Sequence, residues 1–322
     1  MASLASRENQ AACRRRLPRL SPGLAPYLLL GPFVLLFLVF GLFPLGFSLV
    51  LAFQSWQPAA GLASMHFVGL RNFAFALRDP WFWKSLRNTL WLAVVAGVPQ
   101  HLVAIALAVF LQSTSRRLRD LFSAAYFVPY VTSTVAISIL FSSLFAAHHG
   151  LIDQALAALA RLPALGRLLP GHPVDWLGRP ATLKPAIALL VFWRYLGFNT
   201  VLYLAALQAI PAELHEAAAL DGAGRWQRFR HVTLPGLRPM MLFAVTLSVI
   251  GGLQLFDEAF ILTGGHGGPD QAGMTAALYF YREAFDFDDF GGASAMSWLL
   301  FVVVALATWL TGLALRTREP AA

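Results

Sequence analysis

The chain has 322 residues, 58% of them hydrophobic and only 12% charged, against about 25% charged in an average soluble domain. With a mean hydropathy of +0.63, this composition excludes an ordinary soluble domain and indicates an integral membrane protein. The single cysteine, Cys13, excludes an intrachain disulfide and a cysteine-built metal site, and the net charge of +8 has to be read by position before it says anything about partners.

In chain order, the polar amino end carries Arg7, Arg14, Arg15, Arg16 and Arg19. The first apolar run, Tyr27–Phe53, follows. A secretory signal has a shorter apolar core and a small-residue cleavage site, so this run is expected to be an uncleaved span, bent by Pro32 and Pro44. Further apolar stretches occur at Leu86–Gln112, Leu121–Ala146, Leu183–Leu207, Pro239–Leu262 and Ser294–Leu315. Each reaches the ~20 residues that a helix needs to cross the hydrocarbon. Membrane β-barrels show alternating ~10-residue segments instead, and that pattern is absent. The sequence therefore predicts an all-α integral membrane protein with six transmembrane helices. Its parts are an amino tail over 1–26, a membrane domain over 27–315 and a carboxyl tail over 316–322, with no separate soluble domain and no internal repeat.

Basic residues in short loops mark the cytoplasmic side. The amino-tail arginines fall on one side together with Arg116, Arg117, Arg119, Arg225, Arg228, Arg230, Arg238, Arg316 and Arg318. The other side holds Arg71, Arg78, Lys84, Arg87, Arg161, Arg167, Arg179, Lys184 and Arg282, nearly cancelled by Asp79, Asp153, Asp175, Asp270, Glu283, Asp286, Asp288 and Asp289. Both termini and the loop over 211–239 are expected in the cytoplasm. The basic balance then follows from topology, and nucleic acid is not needed as a partner.

The loop over 211–239 is the longest polar interval on the cytoplasmic side. It reads as a helix with Pro211 at its first position, Glu213 and Glu216 in its early turns and Ala217, Ala218 and Ala219 as strong formers. Gly222 and Gly224 end it. So short a helix is marginal in water without support, which leaves an interfacial amphipathic helix or a docking element as the two readings.

The residues here carry a resemblance. Glu216-Ala217-Ala218, then Gly222 after three residues, then Val232-Thr233-Leu234-Pro235 after nine, is similar to the EAA loop of bacterial ABC-importer permeases, E-A-A-x3-G-x9-I-x-L-P, with Val232 in place of the isoleucine. Phe256-Asp257, Leu262-Thr263-Gly264-Gly265 and Gly267-Gly268-Pro269 resemble the F-D-x4-L-T-x-G-G-P signature of sugar permeases of the maltose, lactose and glycerol-3-phosphate type, with His266 lengthening the glycine turn. Phe67 to Phe73, Asp79-Pro80-Trp81-Phe82-Trp83 and Asn88-Thr89 look like the first outer loop of these permeases, although Arg71 stands where an acidic residue is common. The resemblance implies the six-helix fold of a type I ABC-importer (MetI-like) permease. It also implies a second permease subunit in a heterodimer, a cytoplasmic ATPase dimer and an extracytoplasmic solute-binding protein, with sugar as solute and membrane lipid around the bundle. The helix around Glu213–Asp221 is then the coupling helix, with Glu216 and Asp221 accepting hydrogen bonds from the ATPase, Ala217 and Ala218 allowing close approach, Gly222 ending the helix, and Leu234 and Pro235 fixing the loop to its own bundle.

The residues agree on where the energy comes from. A Walker A loop needs a lysine after glycine, and the two lysines, Lys84 and Lys184, follow Trp83 and Leu183. ATP and Mg2+ are therefore expected on the partner, and this chain is expected to bind no cofactor. His215-Glu216 lacks the second histidine of a zinc-protease helix, since residue 219 is Ala219. With no glycine-framed serine and no nucleophilic cysteine either, no catalytic residue and no metal ligand are expected, and an enzyme is not indicated.

Polar groups inside spans mark a solute path. Gln254 and Asp257 lead by the family resemblance, with Phe256, Asn199, Ser142 and Gln100 behind them; His101, Ser138, Ser143 and Arg194 are further intramembrane polar residues, and Trp193, Tyr195 and Phe198 stand nearby as aromatic faces. Serines also bond their own helix backbone, and Arg194 requires a partner if it lies within the membrane. A glycerol-3-phosphate permease is an alternative that would favour a basic cavity. A secondary transporter is another; it would usually show inverted repeats and intramembrane carboxylates. The solute itself is not legible.

Overall fold

The computed structural model describes residues 25–147, 149–161 and 174–315. Cys13, the amino-tail arginines, Arg167, Pro163, Pro170, Pro173, Arg316 and Arg318 lie outside them. The chain forms two compact units, the first ending at Val50 and the second beginning at Leu51. In the first, α1 (Ala25–Phe37) carries Pro32 inside it and passes through a π-helical turn, Leu38–Leu42, into α2 (Phe43–Leu51). Pro44, lacking an N–H, sits just after that turn, where Phe43 N–H reaches back to Leu38 O. Phenylalanines stack at helical spacing, Phe33 on Phe37 and Phe43 on Phe47.

The second unit begins with a two-stranded antiparallel ladder, β1 (Gln54–Ser55) against β2 (His66–Phe67), which the sequence did not announce. Next come α3 (Arg71–Arg78), α4 (Pro80–Gln112), α5 (Arg116–Val131), α6 (Thr134–Leu144) and α7 (Leu151–Ala160). The remainder is α8 (Pro180–Gln208), α9 (Ala212–Leu220), α10 (Arg225–Arg228), α11 (Leu234–Leu253), α12 (Asp257–Leu262), α13 (Ala276–Phe285) and α14 (Phe290–Leu315).

Five helical runs among the described residues are long and apolar enough to cross a membrane, and α5 with α6 makes a sixth as a bent pair. That pair corrects the third predicted span, Leu121–Ala146: its halves meet at 95°. Pro129 removes one helical hydrogen bond near the end of α5, and Thr132 and Ser133 then adopt extended backbone. The fifth predicted span, Pro239–Leu262, is also corrected. Its helical run begins at Arg225 and stops at Leu253, and Gln254–Phe256 separates it from α12.

Long α4 is the spine. Its first turns, with Phe82 and Leu86, enter a cluster with Tyr279, Phe280 and Met296. Its middle, with Leu92 and Ala96, packs with Ile187, Leu190 and Val191 of α8. Its far end, with Ala104, Ala108 and Leu111, packs with Tyr203, Leu204 and Leu207 of α8 and Leu237 of α11. Small side chains let such helices approach closely. Gly197 of α8 shows the extreme, since a Cβ there would fall 1.7 Å from the Tyr126 carbonyl oxygen of α5.

The segments that carry the first-loop and glycine-turn signatures fold onto one another. Asp79 caps α4 by accepting from the Trp81 and Phe82 N–H groups, and accepts from the Tyr279 hydroxyl at 2.6 Å. Asn88 donates to the carbonyls of Gln271 and Met274, each at 3.0 Å, while Thr89 Oγ1 accepts from Ala276 N–H. Thus the Asn88-Thr89 dipeptide of α4 holds the turn that follows Gly264–Pro269. Asn88→Ala strands two carbonyl groups, at a cost of about 1–3 kcal/mol. The expected result is faster amide hydrogen exchange over residues 267–276; exchange as slow as in the parent chain would show that this clamp does not hold the turn.

Candidate functional site

Two features stand out within the second unit: the loop between α8 and α11, and a cavity in the bundle. In the loop, Pro211 is the N-cap of α9, one position earlier than the sequence reading placed it, and Glu213 lies in the first turn. The helix ends in a Schellman closure: Ala223 N–H donates to Ala218 O at 2.9 Å and Gly222 N–H to Ala219 O at 3.1 Å. Gly222 has φ +80°, a backbone state that a side chain strains. Gln227 Oε1 accepts from Gly224 N–H at the start of α10, and a π-helical turn, Phe229–Thr233, leads into α11.

Glu213, Glu216, Ala217, Asp221 and Gly222 are exposed, and Ala218 is half-buried. Leu220 is 90% exposed and Trp226 71%. Leu234 and Pro235 are half-buried in the first turn of α11, and the deepest anchor is Leu237, fully buried against α4 and α8. Beside it the Ile210 side chain packs onto the Gly236 backbone, where a Cβ would lie 2.7 Å from Ile210 Cδ1.

The cavity, about 260 Å³, opens between α4, α8, α11 and Tyr130 of α5. One face of each long helix lines it at helical spacing: Ala93, Ala96, Gly97 and Gln100 from α4, Val191, Tyr195, Phe198 and Asn199 from α8, and Leu247, Ser248, Gly251 and Gly252 from α11. Glycines make the room, since a Cβ on Gly97 or Gly251 would meet nothing within 4 Å. Tyr130 stacks on Phe198 at 4.2 Å between ring centroids. Gln100 and Asn199 are 2% and 1% exposed, yet Gln100 Nε2 and Asn199 Oδ1 have no hydrogen-bond partner among the described residues. A buried unpaired polar atom costs about 1–3 kcal/mol.

Of the residues that the sequence nominated for the solute path, Gln100 and Asn199 meet in this cavity. Gln254 and Asp257 are exposed, at the break after α11 and at the start of α12. Phe256 packs on Phe260 and Tyr281, and Ser142 lies half-buried on α6. His101 Nδ1 pairs with Tyr203 Oη at 2.8 Å, and Ser143 Oγ donates to Ile139 O of its own helix. Tyr130, Ser248, Gly251 and Glu258 were not singled out as path residues. Arg194 finds the partner that its burial demands in Glu258, Nη1 to Oε1 2.8 Å, with the two residues 9% and 3% exposed. The spacing Glu258, Ala259, Leu262 on the buried face of α12 is the signal that points to Glu258 rather than Asp257.

A helical bundle of membrane-crossing length, enclosing a partly polar cavity and carrying a bare helix at one end, defines a membrane permease. The chain belongs to the family of binding-protein-dependent transport system inner membrane components, matched over residues 101–317. It is 36% identical to the lactose transport system permease protein LacF of Rhizobium radiobacter, over 91% of this chain and 94% of that one. It is 34% identical to the arabinooligosaccharides transport system permease protein AraP of Bacillus subtilis, over 89% and 87%. Among solved structures, a bacterial ABC transporter involved in import of the acidic polysaccharide alginate shares the fold, with TM-score 0.74, 23% identity and coverage of 91% and 95%. A second structure of the bacterial alginate ABC transporter, bound to a periplasmic protein loaded with an alginate pentasaccharide, also has TM-score 0.74, with 22% identity and coverage of 89% and 92%.

Removing one member of a buried ion pair strands the other, at about 3–5 kcal/mol. Arg194→Ala and Glu258→Ala are each expected to lower the unfolding midpoint in detergent clearly, and Arg194→Leu with Glu258→Leu to recover most of the loss. Additive losses in the double variant would mean that the two charges do not depend on each other.

Proposed function

We propose that this chain is the membrane-spanning permease subunit of an ATP-driven sugar importer, passing its solute inward by alternating access through the cavity between α4, α8 and α11. The observation that carries the reading is the cavity itself: two buried amides with unpaired atoms beside a stacked aromatic pair, the chemistry that suits a sugar with hydroxyls on its edge and C–H groups on its face. The names of the lactose and arabinooligosaccharide relatives support the same solute class.

The α9 loop is the site that engages a separate ATPase, which handles ATP and Mg2+. Its exposed Leu220, Glu216 and Asp221 offer one apolar and two acidic contacts, and its EAA spacing supports that role. A second permease subunit completes the path. An extracytoplasmic solute-binding protein delivers the solute, as the family description and the alginate complex suggest. Both termini and the α9 loop face the cytoplasm of the bacterial inner membrane, on the distribution of arginine and lysine.

ATP-dependent sugar uptake into vesicles holding the chain with its partners is the direct test. Gly251→Leu fills open space in the cavity and is expected to abolish most uptake while leaving insertion and assembly intact. Normal uptake in that variant would remove the cavity from the path. Gly222→Pro cannot adopt φ +80°. It is expected to cut stimulation of the ATPase by loaded binding protein about tenfold, the effect of 1.4 kcal/mol, with insertion unchanged. Undiminished stimulation would exclude the α9 loop as the coupling element.

A further inference from the structure

The cavity wall carries no charged side chain among the described residues. The nearest buried cation, Arg194, sits directly behind it: its Nη1 donates to Tyr195 Oη at 3.0 Å and to Glu258 Oε1 at 2.8 Å, and its guanidinium lies 5.0 Å from the Tyr195 ring centroid. Tyr195 itself lines the cavity. Two consequences follow. Glu258 cancels the arginine charge, so the wall presents little net field to a solute. The guanidinium also occupies a lone pair of the Tyr195 oxygen, which leaves the phenolic O–H free to donate.

We infer that this chain selects a neutral, hydroxyl-rich solute over an anionic one, with Tyr195 as a solute-contacting donor and Arg194 and Glu258 as the positioning residues that set it and hide the charge. The inference rests on the cavity being the solute path, and it deepens that reading. An anion entering a wall of this kind loses its water and gains only neutral dipoles in return, a poor exchange in a low-dielectric site. A uronic acid or a phosphate ester needs an uncompensated cation, and in this wall the one at hand is already paired. Neutral sugars gain more: Tyr195 and Gln100 Nε2 donate, Asn199 Oδ1 accepts, and the Tyr130–Phe198 stack supplies an apolar face.

The test uses the whole transporter in nanodiscs, with its permease and ATPase partners but without binding protein, which would impose its own selectivity. Equilibrium dialysis compares radiolabelled lactose, glucose and galactose with a uronic acid of each, in which the ring is kept and only a CH2OH carbon is oxidised, and the pair with the tightest neutral member is carried forward. In the parent transporter the neutral member is expected to bind at least about tenfold more tightly than its acid, and Tyr195→Phe to weaken it by about three- to tenfold, the loss of one hydrogen bond. Glu258→Gln, which uncovers the arginine, is expected to close the gap between sugar and acid, whereas Arg194→Gln with Glu258→Gln keeps it. An acid bound as tightly as its sugar by the parent transporter overturns the inference without any variant having to fold. A gap unchanged in folded Glu258→Gln overturns the role of the pair. Gln100→Leu and Asn199→Leu separate the two levels: sugar binding that ignores both changes, or no binding of any neutral sugar, sinks the cavity reading itself.

Discussion

A backbone that crosses hydrocarbon must satisfy its own N–H and C=O groups, because no water is there to do so. Six helical crossings meet that demand here, and the exceptions show its force. Where Thr132 and Ser133 leave the helix, Thr132 turns its hydroxyl back onto Val128 O, and Ile137 N–H closes on Ser133 O to restart α6. Where α11 stops, Gln254 N–H returns to Gly251 O, and Phe260 N–H reaches Phe256 O to begin α12. The same demand governs side chains. Arg194 is tolerable in the bundle because α12 brings Glu258 to it, and α12 can do so because the chain breaks at 254–256. An unbroken helix would carry residue 258 another turn outward along the axis of α11.

Much of this was legible in the sequence, for a physical reason. Span-length apolar runs are set by composition alone, so their number and rough position could be read directly. The EAA loop was legible because its spacing encodes local geometry, a helix closed by a left-handed residue at Gly222, and local geometry needs no knowledge of the rest of the fold. Breaks within apolar runs were not legible. A span-length window averages over Thr132-Ser133-Thr134 and over Gln254, so hydropathy runs on where the helix does not.

The cavity was half legible for a related reason. Gln100 and Asn199 announced themselves as amides in apolar helices, which is a signal in one dimension. Gly97, Gly251 and Gly252 contribute by lacking a side chain, and that matters only once three helices converge. Tyr130 arrives from the last turn of α5, just before the 95° bend, which sequence spacing does not reveal. Gln254, Phe256 and Asp257 rose in the ranking because a resemblance placed solute contacts in their span. The structure puts most of that span's contribution to the cavity one to two turns earlier, at Leu247 to Gly252, with Leu255 also on the wall.

That shift bears on how a loop at one end of the bundle can act on the middle of it. Under the proposed function, α11 is the shared element. Leu237, fully buried at its base, fixes it to α4 and α8 where the α9 loop joins the bundle, and Gly251 lies on the cavity wall. Fourteen residues of helix separate them, about 21 Å at 1.5 Å per residue. Helix α8 runs alongside, with Leu204 and Leu207 against Leu237 at one end and Tyr195 and Asn199 on the cavity at the other. A push delivered to α9 is therefore received by two rigid rods whose far parts form opposite walls of the cavity. At the outer limit of α11 the rod ends at the Gln254–Phe256 break, and α12 stays pinned to α8 through the Arg194–Glu258 pair. Under the proposed function, the break lets α12 follow α8, to which the ion pair ties it, while the rest of the fifth crossing follows α11.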